Sequence, residues 1–429
     1  MEKQGDKLFA MTKKSIWLVL LLLTLPLFSC STFISEKYTA EVHTGQCLPV
    51  FPDNNGWYGG DGAYSIPLDK ERTLWVFGDT FIANEEGRKD RVNMDVILGT
   101  TLAVSTCSAN PARLGINQQV EEGAVTRGRS RNYREPPAPA GGGSTNEFKI
   151  QYYLKKKNEK FVSSFGENEW LWPQDPFIVN NVLYIPLIAV TPTDKKGELF
   201  NFKITGHKLA RIKDFSAADP YKWSMDYIDL TPSIPAEIAA FATTSVVHDG
   251  YVYFYPFYTF SKDALNVLGN IIARIPVNKI DNPMGAIEYF TKDGTWENNL
   301  NPARVKVVLD ACVSELSVRY HTADKKWIAV YLSTQNKGDK LLYQFADELE
   351  GPWSEPKVLG VKVPEVDPSS TLYDKNSFCY AGKEHIEFAR NRNLVVTYVC
   401  NSAEDMQSQT SFIRRNLFLY RPVVREIGY

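Results

Sequence analysis

The chain has 429 residues, a net charge of −2 and a pI near 6.3, which gives no basic footprint for nucleic acid and no strongly acidic character. Hydrophobic residues make up 44% and aromatics 13%, enough for a large core in one big domain or two to three ordinary ones. The heavy use of Tyr (22), Phe (23) and Trp (9) suits strands better than helices.

Lys13 and Lys14 precede IWLVLLLLTLPLF, an apolar run too short to span a bilayer comfortably and laid out as a secretory signal over residues 1–29. It ends in Leu27-Phe28-Ser29-Cys30, which resembles the lipobox of bacterial lipoproteins, where the cysteine is lipidated and becomes the mature N-terminus. An ordinary signal peptide or an anchoring helix is the alternative, and Met11 is a second candidate start. The expectation is an exported outer-membrane lipoprotein facing the periplasm or the cell surface. Its membrane contact would be the lipid on Cys30, with a tether over 30–48 and the folded domain over 49–429. Five cysteines remain, Cys47, Cys107, Cys312, Cys379 and Cys400. Their odd number and the lack of CxxC spacing argue against a disulfide framework and against zinc. Cys379 and Cys400 could pair across a hairpin, but buried thiols are expected.

The first strong pattern is WYGGDGAYSIPLDKERTLWVFGDTF, Trp57 to Phe81, which predicts a β-hairpin. Ala63–Leu68 and Thr73–Gly78 are its strands and DKER at 69–72 its turn. Antiparallel pairing then brings Asp61 near Asp79, each beside glycine, where backbone can approach a ligand closely. A polar loop follows at 84–95, then a strand over 96–107. The segment 108–147, with REPPAPAGGGSTN, reads as exposed loop. IQYYLKKKNEKFVSSF reads as another hairpin, its lysines a solvated turn.

The opening pattern then recurs. WLWPQDPFIVNNVLYIPLIAV (170–190) is acid, strand, Asn-Asn turn, strand, and FATTSVVHDGYVYFYPFYTF (241–260) turns at Asp-Gly. CVSELSVRYHTADKKWIAVYLS (312–333) leads with Glu315, and KEHIEFARNRNLVVTYVCNS (383–402) with His385 and Glu387. The markers Asp175, Thr243, Glu315 and His385 stand about 70 residues apart, and the longer gap from Asp61 is accounted for by the loop insert. A period of that size with about four strands per unit is the mark of a β-propeller, so the prediction is all-β and five-bladed. A β-sandwich pair or two unrelated all-β domains are the alternatives. In a propeller the leading residues Asp61, Asp175, Glu315, His385 and Glu387 would converge on one channel.

These residues carry a resemblance. WYGGDGAYSIPL followed by LWVFGDTF is similar to the leading motif of a five-bladed propeller family of secreted bacterial proteins, formerly of unknown function (DUF4185-like), which includes endo-D-arabinanases. WLWPQDPF, NIIARIPVNKI with EYFTKDGTW, SELSVRYH, EGPWSEP and EHIEF…LVVTYVCNS agree with it over roughly residues 50 to 425. Ile386 stands where that family would have proline, and FYPFY replaces a more usual glycine. The resemblance implies a glycoside-hydrolase-like protein with Asp61 and Asp79 at the family's acidic pair.

Glycosidic hydrolysis needs one carboxyl to protonate the leaving oxygen and a second as base or nucleophile. Asp61 is the candidate base or nucleophile. Asp79 is the candidate acid, its pKa expected to rise through the neighbouring charge and burial beside Phe77 and Phe81. The structural alternative is that both cap turns. Asp175 could hold a sugar hydroxyl or tune a neighbour, and Glu315 and Glu387 would be buried acids needing partners such as Arg319 and His385. No His/Asp cluster marks a metal and no cofactor is expected, although oxygen ligands from several blades would suit Ca²⁺ in the channel. Trp57, Tyr58, Trp170 and Trp172 flank the leading acids and could face a sugar ring, with blade packing as the alternative for each. Arg274 is placed either in the channel or on a surface ladder.

Two function classes follow. One is a glycoside hydrolase acting on a polysaccharide, arabinan-like on the resemblance. The other is a non-catalytic glycan-binding surface lipoprotein on a degenerate propeller, which needs the aromatics but not two carboxyls at catalytic separation. A protein–protein scaffold, requiring a large exposed apolar patch, is a third.

Overall fold

The computed structural model describes residues 47–109, 146–166, 169–193, 202–389 and 392–429. The signal over 1–29, Cys30, nearly all of the 30–48 tether and residues 110–145 of the loop insert lie outside the described residues. The described chain is all-β.

The first sheet contains β1 (Trp57–Pro67), β2 (Arg72–Ile82), β3 (Asp95–Ile97), β4 (Thr101–Ala109) and β5 (Asn146–Tyr153), in the order β1-β2-β4-β5 with β3 on β2. The turn between β1 and β2 is the predicted DKER, closed by Asp69, whose Oδ1 accepts from Glu71 N and Arg72 N. A short hairpin, β6 (Lys155–Lys157) with β7 (Lys160–Val162), follows. The second sheet holds β8 (Trp170–Pro173), β9 (Phe177–Val179), β10 (Val182–Pro192), β11 (Phe202–Ile212) and β12 (Met225–Asp229).

Two sheets then interleave. The strands in order are β13 (Ile238–Ala240), β14 (Ser245–His248), β15 (Tyr251–Phe254), β16 (Phe257–Lys262), β17 (Leu265–Ile271), β18 (Ala273–Pro276), β19 (Glu288–Phe290), β20 (Trp296–Glu297) and β21 (Val307–Leu309). One sheet runs β13-β16-β17-β21 and the other β14-β15-β18-β19-β20. Next come β22 (Ser317–His321), β23 (Lys326–Leu332), β24 (Lys340–Ala346) and β25 (Lys357–Lys362), paired in that order. The last sheet is β26 (Ser377–Glu384), β27 (Asn393–Ser402) and β28 (Val423–Gly428). Its leading strand therefore ends where the predicted 383–402 hairpin begins.

Turn chemistry was well marked in the sequence. Asn180-Asn181 (φ 50° and 59°) and Asp249-Gly250 (φ 44° and 79°) take the paired left-handed conformations that two-residue hairpins demand.

Apolar faces join the sheets in chain order. Tyr64, Ile66 and Val76 of the first sheet pack on Leu183, Ile185 and Ala210 of the second. Phe177 and Leu209 meet Phe254, Ile271 and Ile275, and Tyr253 and Ile272 meet Val318 and Tyr331. Val330 and Leu332 meet Leu394, Val396 and Tyr398. Val395 of the last sheet then packs with Trp57, Trp75 and Phe77 of the first. Among the described residues the sheets thus form a ring, a propeller-like arrangement in which they pack on one another rather than on helices.

Arg91 fastens the closure. Its Nε donates to Tyr58 O (2.8 Å), Nη1 to Ile413 O (2.9 Å) and Asn416 O (2.8 Å), and Nη2 to Leu417 O (3.1 Å) and Leu419 O (2.6 Å). All five guanidinium N–H groups are spent on carbonyls, fixing the segment before β28 against β1. Arg91 and Arg414 lie 5.1 and 5.3 Å from the Phe81 ring centroid.

The cysteine reading needs correction. Cys47 pairs with Cys107 and Cys379 with Cys400, leaving Cys312 as the thiol among the described cysteines. Cys379 and Cys400 are direct cross-strand partners on β26 and β27, a juxtaposition set by register rather than by any local spacing motif.

Candidate active site

Asp61 sits at an irregularity of the first hairpin. Between the pairs Gly60↔Thr80 and Gly62↔Phe77, one residue of β1 faces two of β2, so Asp61 stands opposite a bulge made by Gly78 and Asp79. A side chain at Gly78 would begin 3.2 Å from Asp61 Cβ, a tight approach that favours glycine there. A second irregularity follows, where Ala63 takes φ +63°, unusual for a residue with a Cβ. The predicted neighbourhood of Asp61 and Asp79 is present, and the bulge re-aims both side chains.

The two carboxyls differ in surroundings. Asp79 is buried, and its Oδ1 accepts three N–H groups: Gly99 N (2.7 Å), Trp170 Nε1 (2.8 Å) and Trp172 Nε1 (3.0 Å). Burial pushes its pKa up to about 6 against those donors, which favour the charged form. Asp61 is part-exposed as a residue, but its Oδ1 is sealed from solvent and has no hydrogen-bond partner. Its pKa is pushed up to about 8, by burial first, then by the charges of Glu315 and Asp79. A hydrogen bond from Tyr380 and the charge of Lys383 oppose the rise.

Glu315 and Lys383 complete this cluster. Lys383 Nζ lies 3.7 Å from Glu315 Oε1, donates to Gly62 O (3.0 Å) and stands 3.8 Å from the Tyr64 ring centroid. Burial lowers the lysine's pKa, while Glu315, Asp61 and Asp175 pull the other way. Tyr64 hydrogen-bonds Glu315 as Tyr380 does Asp61. Each of the two acids therefore carries a tyrosine hydroxyl, and the charge of one lysine acts on both.

The other predicted residues divide. Asp175 is buried and fully engaged. Arg319 Nη2 reaches both its oxygens (2.9 and 3.0 Å), while Thr244 Oγ1 (2.9 Å) and Ser245 N (2.8 Å) donate to Oδ2. Asp175 is thus the two-oxygen partner of Arg319, and the charge of Glu387 also acts on its guanidinium. Glu387 accepts from Ser65 Oγ. His385 is a core residue: its Nδ1 is 2.6 Å from Ser65 Oγ, its Nε2 2.7 Å from Thr397 Oγ1, and Trp75 covers it with ring centroids 4.9 Å apart. With the Ser65 proton on Glu387, the satisfied tautomer carries hydrogen on Nδ1 and accepts at Nε2. Burial holds the imidazole's pKa well below its usual value, with the Lys383 and Arg319 charges adding to this.

Two expectations are overturned. Trp57 is completely buried, stacked on Tyr152 with centroids 4.4 Å apart, so it cannot face a ligand. Arg274 lies away from the channel, bonded to Glu288 (2.7 Å) and held between the rings of Tyr251 and Trp296, each 4.1 Å away. It is the ladder residue of the outer strands β18 and β19. Trp172 and Trp170, by contrast, are half-buried beside Asp79.

Beyond the acid cluster lies a cavity of about 120 Å³. Its wall includes Ser65, Phe177, Ser245, Arg319 and Glu387, so five sheet-leading segments meet at one hollow. Asp61 and Glu315 do not line it. Among the described residues, Glu365, Cys379 and Cys400 are close enough to share an ion, but their sulfurs are joined to each other.

Sequence reasoning missed Lys383, Tyr64 and Tyr380. Lys383 stands one residue before Glu384, the first acid of EHIEF, and its role depends on Glu315, which lies in the loop before β22. No local signal marks that meeting.

No curated protein matches the chain. Among solved structures, a candidate hydrolase from Bacteroides ovatus is similar at 16% identity and a TM-score of 0.57, covering 90% of this chain and 97% of the other. A GH43_1 enzyme from Xanthomonas citri, complexed with xylotriose, aligns at 12% identity and TM-score 0.39, covering 89% and 90%. An exo-β-1,3-galactanase from Phanerochaete chrysosporium, with galactose, aligns at 9% and 0.40, covering 86% and 60%. The first likeness is one of fold. A family model matches residues 49–427, nearly the whole described region, where the leading motif had pointed to a DUF4185-like family. The chain belongs to the family described as a domain of unknown function, DUF5005.

Proposed function

We propose that this chain is a glycoside hydrolase acting on a polysaccharide, with Asp61 and Glu315 as its paired carboxyls on a five-bladed propeller. The observation that carries the reading is Asp61 itself. Burial and the charge of Glu315 push its pKa up to about 8, one of its oxygens is buried without a partner, and Glu315 is itself ion-paired to Lys383. The likeness of fold to the Bacteroides ovatus candidate hydrolase agrees with it.

The reading replaces Asp79 by Glu315 as the partner of Asp61, and gives Asp61, expected as base or nucleophile, the role of acid. Of the charges acting on Asp61, that of Glu315 is the larger, and Asp79 already has three donors on one oxygen. Asp61 would donate its proton to the glycosidic oxygen as the C–O bond breaks. Glu315 would take a proton from the incoming water or attack the anomeric carbon, according to the distance between the two. Arg319 and Asp175 would hold the floor of the site as a neutral pair. The proposal needs no cofactor, and it extends to export as a lipoprotein anchored through Cys30, with an arabinan-like glycan as substrate class.

Release of reducing sugar from a panel of soluble plant and bacterial polysaccharides tests it. Asp61→Asn and Glu315→Gln should each lower the rate about 10²–10⁴-fold. Undiminished activity in both variants would end the assignment.

A further inference from the structure

Asp79 takes two of its three donors from a single aromatic element. Trp170 and Trp172 alternate with buried Leu171 on β8, so both indoles lie on the same face of the strand. Opposite them on β10 stand Ile188 and Val190. Trp170, Trp172, Phe202 and Phe257 lie half-buried around Ile188, Val190 and Ala240. The tryptophan centroids are 5.3 Å apart at 83°, and Trp172 meets Phe202 edge-on at 4.4 Å. Both indole N–H groups converge on one oxygen of Asp79, at 2.8 and 3.0 Å, and Asp79 belongs to another sheet. An indole has a single N–H donor, so two such bonds fix both ring planes relative to the strand that carries Asp79. Gly99 N adds a third donor to the same oxygen.

We infer that Asp79 is a positioning residue that locks Trp170 and Trp172 into an aromatic wall for a neutral sugar ring beside Asp61. The aromatics present apolar surface for the C–H face of a sugar, and half-burial leaves part of it accessible. The bonds to Asp79 join this wall to the strand next to Asp61, so a sugar resting on it is held against the acid. This inference rests on the glycan reading of the site, and it assigns Asp79 to orientation where the leading motif suggests proton transfer.

Acrylamide quenching of tryptophan fluorescence and near-UV circular dichroism, on the folded chain, test the orienting role without any substrate. The Trp170→Phe/Trp172→Phe double variant identifies the signal of these two among the nine tryptophans. Asp79→Ala should raise their quenching and weaken their dichroic signal. Asp79→Asn, which keeps an acceptor oxygen for the indoles, should restore both towards the wild type. Unchanged quenching in Asp79→Ala, or an Asn variant as disordered as the Ala variant, would overturn the inference.

Native affinity electrophoresis in gels containing soluble arabinan, arabinoxylan or galactan tests the wall as a sugar surface. Retardation should weaken about tenfold in Asp79→Ala and in the double variant, and persist in Asp61→Asn. Equal retardation of the wild type and the double variant would overturn the wall. If the wild type itself is not retarded, the sugar assignment falls, whereas hydrolysis by Asp61 and Glu315 is judged separately by reducing-sugar release.

Discussion

Arg319 grips Asp175 through both carboxylate oxygens, at 2.9 and 3.0 Å, and joins two sheets that are 144 residues apart in sequence. The pair is nearly sealed from solvent, with the side chains 19% and 3% exposed.

Removing one partner of such a pair strands the other's charge. Arg319→Met should therefore destabilise the fold by about 3–5 kcal/mol. Urea denaturation followed by tryptophan fluorescence measures this, and the simultaneous change Arg319→Met/Asp175→Asn should recover part of the loss. A cost below about 1 kcal/mol would contradict the burial described.

The acids of the first hairpin make stability fall as pH rises. Folded Asp61 holds its proton up to about pH 8 and Asp79 up to about pH 6, whereas in the unfolded chain both release it near the usual carboxylate value of 3.8. Between those limits the folded state binds more protons, so each group weakens the fold by up to about 1.4 kcal/mol per pH unit. Asp61→Asn should be more stable than the wild type at pH 8, with the gain disappearing near pH 4. Denaturation curves across that range check both signs.

Hydrolysis should respond to the same proton. With Asp61 as acid, activity falls as pH climbs through about 8. Lys383 holds the Asp61 pKa down, so Lys383→Met should shift this alkaline limb to higher pH while lowering the maximal rate. A limb that stays in place would separate Lys383 from Asp61.

Arg91 closes the ring through carbonyls alone. Arg91→Lys keeps the charge but at most three donors, leaving buried carbonyls bare, and should cost more than about 3 kcal/mol. Hydrogen exchange should show the loss first in residues 413–420.

Reduction separates the two disulfides by loop length. The bond closing 60 residues, Cys47–Cys107, should contribute about 4 kcal/mol, and the bond closing 21 residues, Cys379–Cys400, about 3 kcal/mol, on the chain-entropy account. Paired Cys→Ser variants in denaturation experiments measure each term.

Much of this architecture was legible in the chain itself. The alternating runs, the Asn180-Asn181 and Asp249-Gly250 turns and the recurring leading acids are local patterns. Local patterns fix strands, turns and the side-chain face of each residue. The closeness of Asp61 and Asp79 followed for the same reason, since one hairpin contains both. What tertiary structure decided were meetings between strands remote in sequence. Trp57 became core because Tyr152 stacks on it, Arg274 was captured by Tyr251 and Trp296, and Cys379 met Cys400 through register. Glu315 came to Asp61 from the loop before β22 and Lys383 from β26, and Asp79 was claimed by two indoles. Burial and partner charge set the chemistry of a carboxyl, and both depend on which sheets the ring makes neighbours.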